Sequence, residues 1–190
     1  MLIPKLLLDE INSVRTDPNA YAKKVETYKG YLNGKKLKRP DGKTIETVEG
    51  VAAYDEALKY LYARKPVKPL TASKGLTKIS EDLMAVLKTC DPGALDSHVS
   101  LIQVINRYGS FEGEFARLLE FGGETPEQVV LNLVVSDGDR TRSQRNQLLD
   151  KTFKVVGIVS DDHKDFTKCT VITLTNTFNN DADPDDVENY

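Results

Sequence analysis

Tryptophan is absent from this chain, and cysteine, histidine and methionine each occur only twice in 190 residues. So few thiol and imidazole donors exclude a scaffold built on structural zinc or on several disulfides, because Cys90 and Cys169 can form one bridge at most. Two free thiols are expected. No apolar run approaches the roughly 18 residues of a membrane span. The opening MLIPKLLLDEINSVR also reaches Asp9 and Glu10 too early for a secretory apolar region. The expected location is therefore cytoplasmic, or outside the cell if Met1 marks the start of a mature form. A glycine-rich phosphate loop and a nucleophile elbow are both missing, which removes the local signatures of nucleotide binding and of serine hydrolases.

Charge of either sign is not in great excess: 26 basic residues face 29 acidic ones. Five of the acids lie in the last twelve residues, NNDADPDDVENY, leaving 24 against 26 bases before them. Residues 179–190 are expected to be an acidic tail that keeps the chain soluble, and residues 1–178 one domain. The single basic cluster, Lys35, Lys36, Lys38 and Arg39, is broken by Pro40, Asp41 and Gly42, so a solvated loop is expected and no nucleic-acid partner.

Apolar spacing supplies the elements. Leu7, Ile11 and Val14, then Tyr21, Val25, Tyr28 and Leu32, predict two helices separated at Asp17-Pro18. Tyr54, Leu58 and Leu61, and Leu76, Ile79, Leu83 and Leu87, predict two more, parted by the prolines of RKPVKPLTAS. A short helix over 101–108 should stop at Gly109. Thr125, Pro126 and Gln128 carry a cap, a first-turn proline and a box-completing amide for a helix reaching about Gly138. FKVVGIVS (153–160) and KCTVITLTNT (168–177) predict two antiparallel strands joined by the polar DDHKDFT, with FARLLEFG (115–122) as a third. Helices on both faces of a small antiparallel sheet make an α+β sandwich. Cys169 should be a buried thiol and His163 part of a solvated turn.

Six segments occur in sequence order: LLLDEINSVRTDPNAYA, LTASKGLTKISEDL, VINRYG, FARLLEFGG, VVLNLVVSDG and TFKVVGIVSDDHKDF. Together they resemble the cysteine-rich secretory, antigen and pathogenesis-related superfamily, the CAP or SCP-like domains, over residues 6 to about 178. The resemblance implies a three-layer α-β-α sandwich. It also implies a central cleft where many members place two histidines and two acidic residues, a set suited to a divalent metal and an activated water. Registered on Phe121-Gly122, the glutamate position falls at Arg117, next to Leu118. The second histidine position falls at Gln144. The first falls at Gly93 by ungapped counting or at His98 with a deletion, and the remaining acid falls near Ser136-Asp137.

A guanidinium and an amide in place of ligands disfavour metal, so no cofactor is expected. Arg117 is either a partner for Asp137 or for an acidic protein, or an ordinary surface arginine. The resemblance and the altered cleft together lead to a non-catalytic SCP-like domain acting on protein partners, with a cytoskeletal or ciliary assembly as one setting. Two rivals stand beside it. One is a metal-dependent hydrolase using His98, Asp137 and Glu114 or Glu120; the other is a carrier of a lipid or sterol.

Overall fold

The computed structural model describes residues 2–89, 93, 95 and 100–180. His98, Cys90 and the acidic stretch 181–190 therefore lie outside the described residues. Four helices and four short strands come first: α1 (Pro4–Thr16), α2 (Pro18–Lys29), β1 (Leu32–Asn33), β2 (Lys36–Lys38), β3 (Thr44–Glu46), α3 (Val51–Ala63), β4 (Thr71–Ala72) and α4 (Lys74–Leu87). Then follow α5 (Leu101–Ile105), β5 (Gly109–Phe121), α6 (Pro126–Val135), α7 (Ser143–Leu148), β6 (Val155–His163) and β7 (Thr167–Asn180).

The main sheet runs β4-β6-β7-β5, antiparallel except for the short parallel pair β4–β6. Strand alternation divides its side chains between two cores. Ala116, Leu118, Val156, Ile158, Ile172 and Leu174 face α1, α2, α3 and α6. Cys169, Val171 and Phe178 face α4 and α5, in a core that also holds Leu76, Ile79, Leu83 and Leu87. The architecture is the expected α+β arrangement of helices, sheet and helices.

Local chemistry sets the helix ends. Asp17 caps α2 by accepting the Ala20 N–H at 2.9 Å, with Pro18 in the first turn. Thr125 caps α6 through the Gln128 N–H at 3.2 Å. The Gln128 side chain closes a variant of the expected box, because its Oε1 accepts from Glu124 N, one residue before the cap, at 2.9 Å. The helix stops at Val135, three residues short of Gly138, because Ser136 takes a left-handed conformation with φ 50°.

Several expectations need correction. Leu32 does not continue α2 but opens a small three-stranded sheet, β1-β2-β3, which occupies the stretch expected to be a solvated basic loop. Arg39 is buried there, bonded to Asp41 at 2.6 Å. Gly109 does not end the preceding helix, which stops at Ile105. Instead it begins β5 with φ 146°, and a Cβ at this position would lie 2.1 Å from the Asn179 carbonyl oxygen. The connection between β6 and β7 is shorter than expected, and His163 is buried at 5% exposure as the last residue of β6. Its ring packs on Phe121 and Phe166 at centroid distances of 5.7 and 5.2 Å. Strand β7 runs to Asn180, two residues into the expected tail, and Asn180 Oδ1 accepts the Gly75 N–H at 2.9 Å.

Two close approaches hold the layers. Arg15, 1% exposed, ends α1 and donates to the carbonyls of Lys68, Leu148, Asp150 and Phe153 at 2.5 to 3.1 Å. Burial pulls its pKa down to about 10, with Asp150 acting against that shift. On the other face, α4 rests so close on β6 that a Cβ on Gly157 would come within 2.1 Å of the Leu76 carbonyl carbon. Two stability outcomes are expected from urea unfolding. Arg15→Met should cost about 3 kcal/mol or more, because four carbonyls lose a charged donor. Gly157→Ala should cost about 1–3 kcal/mol through forced separation of α4 from the sheet. A change below 1 kcal/mol in either variant would contradict the corresponding account.

Candidate functional site

A cleft of about 340 Å³ opens where the end of β5, the C-terminal turn of α6 and the small sheet meet. Its floor comes from β5. Leu118 and Glu120 share the face that packs under α6, and Glu120 is 4% exposed. Asn132 on α6 donates Nδ2 to Glu120 Oε1 at 2.7 Å, whereas Oε2 has no hydrogen-bond partner. Burial raises the carboxyl pKa to about 7, against the pull of the Asn132 hydrogen bond, the Gly123 amide and the charge of Arg39. Burial, helped by the Glu120 charge, also lifts the Cys169 thiol to about 12, so Cys169 is an inert packed side chain.

The wall is formed by residues 136–144. Asp137 accepts from Val48 N at 2.6 Å and Glu49 N at 2.8 Å, fastening the segment ahead of α3. Asp139 accepts from the backbone and hydroxyl groups of Thr141 and Ser143, chiefly the Thr141 hydroxyl, which lowers its pKa to about 2. Gln144 Oε1 accepts the Leu119 N–H at 2.9 Å. Because β5 is an edge strand of the main sheet, that bond satisfies an amide the ladder leaves over.

Behind the wall, a network of alternating charges ties α7 to α3. Arg142 donates bidentately to Glu49, both contacts at 2.6 Å, and also to Glu56 and to the Ser136 carbonyl. Arg145 donates to Glu56 at 2.6 Å and lies 4.8 Å over the Tyr60 ring. Arg142, with help from the Gly138 N–H, brings the Glu49 pKa down to about 2. The same pairing pushes the Arg142 guanidinium above its ordinary value.

Of the residues singled out from sequence, Asp137 and Gln144 line this cleft. Arg117 does not. It pairs in register with Thr173, whose hydroxyl donates to the Leu76 carbonyl on α4, so Arg117 lies on the opposite face of the sheet from Asp137. Of the alternatives for Arg117, pairing with Asp137 is therefore not the one formed. Gly93 is exposed and lies outside the cleft lining, and His98 is outside the described residues. The carboxylate that β5 brings to the cleft is Glu120. Of the two glutamates considered as replacement ligands, Glu114 is exposed near the bulge in β5. Among the described residues, no three His, Cys, Asp or Glu side chains converge as a metal-holding set.

No protein-family model and no curated protein sequence matches the chain. Among solved structures it is similar to an outer surface protein of Borrelia burgdorferi, at 14% identity and a TM-score of 0.42, covering 60% of this chain and 80% of that one. It is also similar to a cysteine-rich secretory protein of Staphylococcus aureus, at 13% identity and a TM-score of 0.41, covering 67% of this chain and 38% of that one. No helix among the described residues is long and apolar enough to cross a membrane.

The raised Glu120 pKa has a defined effect on stability. Between the ordinary glutamate value near 4.5 and about 7, the folded protein keeps a proton that the unfolded chain has released. Stability from this group should therefore be full below pH 4.5, fall by about 3 kcal/mol as pH rises to 7, and level off above. Glu120→Gln should abolish that decline and exceed the parent in stability at pH 8. Parallel pH profiles for the two proteins in urea unfolding would rule the assignment out.

Proposed function

We propose that this domain acts by binding a protein partner, without catalysis, and that the cleft beside Glu120 is its binding feature. The carrying observation is how the cleft's polar groups are spent. Asp137 and Gln144 hold backbone amides of Val48, Glu49 and Leu119, and Asp139 holds its own loop. Acid–base or metal-assisted hydrolysis needs at least two groups free to exchange protons or ligands around one reacting atom. Among the buried side-chain oxygens of the described lining residues, Glu120 Oε2 is the one without a hydrogen-bond partner.

The small volume of the second concavity bears on the lipid alternative. A mostly apolar pocket of about 200 Å³ lies between Pro4, Lys5 and Leu8 of α1 and Val156 and Ile158 of β6. It is smaller than the ~300–1,000 Å³ of ordinary ligand sites, so it suits the end of an acyl chain better than a whole sterol. Native mass spectrometry after mild purification distinguishes the two occupants: retained sterol would displace the interaction reading.

The test against metal-dependent hydrolysis is a calorimetric zinc titration of the full chain and of His98→Ala. No saturable heat is expected from either. Stoichiometric binding that disappears in His98→Ala, or in Asp137→Asn with the fold intact, would overturn the non-catalytic proposal.

A further inference from the structure

The cleft is charged with one sign. Glu46, Glu120, Asp137 and Asp139 contribute to its lining, and among the described residues no lysine, arginine or histidine does. Asp137 is hydrogen-bonded through both oxygens to backbone amides, which hold the side chain in place without neutralising its charge. Arg39, the cation whose field reaches Glu120, spends its guanidinium on Asp41 at 2.6 Å and Glu124 at 3.4 Å. The acids alone would be only a patch. What gives them direction is the floor, where a carboxyl 96% removed from solvent lies beside the Gly123 backbone and keeps one oxygen, Oε2, that completes no hydrogen bond. A buried acceptor left open costs free energy that a ligand's N–H recovers on entry.

The form of that ligand follows from the surroundings. The carboxylates are too dispersed to surround one small ion, since no three of them converge among the described residues. A group that reaches Glu120 must also pass a rim that includes Ile45, 38% exposed, above an apolar lining of Leu37, Leu119 and Phe121. An apolar stem ending in several N–H donors fits both demands, because the stem covers the rim while the head meets the carboxyl.

We propose that the cleft receives one lysine or arginine side chain from a basic, partly apolar segment of a protein partner, with the Glu120 carboxylate as its counter-ion. This rests on the interaction reading above and names the chemistry of the partner at that site. Asn132 is a positioning residue here. By holding Oε1, it leaves Oε2 as the atom that accepts the incoming N–H.

The probe is n-butylguanidinium, with the neutral n-butylurea as its control, titrated into the ¹⁵N-labelled full chain at pH 8 and followed by amide chemical shifts. Saturable shifts are expected at Leu119, Gly122, Gly123 and the Asn132 side-chain amide with the cation and not with the urea. Glu120→Gln should bind about tenfold more weakly, a loss of about 1.4 kcal/mol. Glu120→Asp keeps the charge but shortens the reach, so it should fall between the two. Equal shifts with butylurea, an absence of saturable shifts, or full affinity in Glu120→Gln would each overturn the proposal. None of these outcomes alters the zinc titration, so failure of this inference is separable from failure of the non-catalytic reading.

Discussion

Buried guanidinium groups are what allow the long irregular stretches of this chain to lie against its core. Residues 64–70 and 136–154 contain little regular ladder, so their carbonyls need donors from elsewhere. Arg15 supplies four such bonds, Arg64 one to Leu149 at 2.5 Å, and Arg142 and Arg145 one each to Ser136 and Val134. A lysine could not replace Arg15, because a single ammonium cannot spread its donors in a plane across four carbonyls of two separate backbone stretches. The desolvation cost is visible in the lowered Arg15 pKa. The cleft wall is part of the stretch these arginines hold, so the site's geometry is inherited from them.

The layered fold was legible because its signals are periodic. The stripes Leu7-Ile11-Val14 and Leu76-Ile79-Leu83-Leu87 reappear as fully buried residues on opposite sides of the sheet. The β-branched runs pair as adjacent antiparallel strands. Periodicity carried α2 on to Leu32, which instead opens β1, and had nothing to say about residues 33–46, where strands of two and three residues are too short to show alternation. Arg39 in that region is buried by partners about 85 residues away, Glu124 among them, and no local pattern announces such a pairing. The same limit hid α7, a six-residue helix entered through Arg142 at φ 52°.

The site was legible only in part, and the reason is the two-residue period of a strand. Arg117 and Glu120 are three positions apart, so they necessarily face opposite sides of β5. Registering the strand on Phe121-Gly122 selected the residue on the α4 face, while the carboxyl under Asn132 belongs to the other. The alternation Ala116, Leu118, Glu120 could have exposed this, since two small or apolar residues on one face lead directly to an acid that must then be buried with them. Gln144 lines the cleft, but its partner is a backbone amide of an edge strand, which side-chain motifs do not encode.

A core needing only packing and neutrality at this position would be served by glutamine, which presents the same shape without an ionisation penalty. Glu120 instead sits on the border of ionisation within a wall of carboxylates, where a second negative charge is least welcome. Binding and deprotonation are consequently linked. A cation entering the cleft lowers the Glu120 pKa, and by reciprocity the loss of that proton tightens the cation's hold. Asp139 takes little part in this exchange, because its hydrogen bonds to backbone amides and hydroxyls are in place before anything enters. The work of recognition therefore falls on one carboxyl whose alternative, in the empty protein, is to keep a proton it holds only weakly at neutral pH.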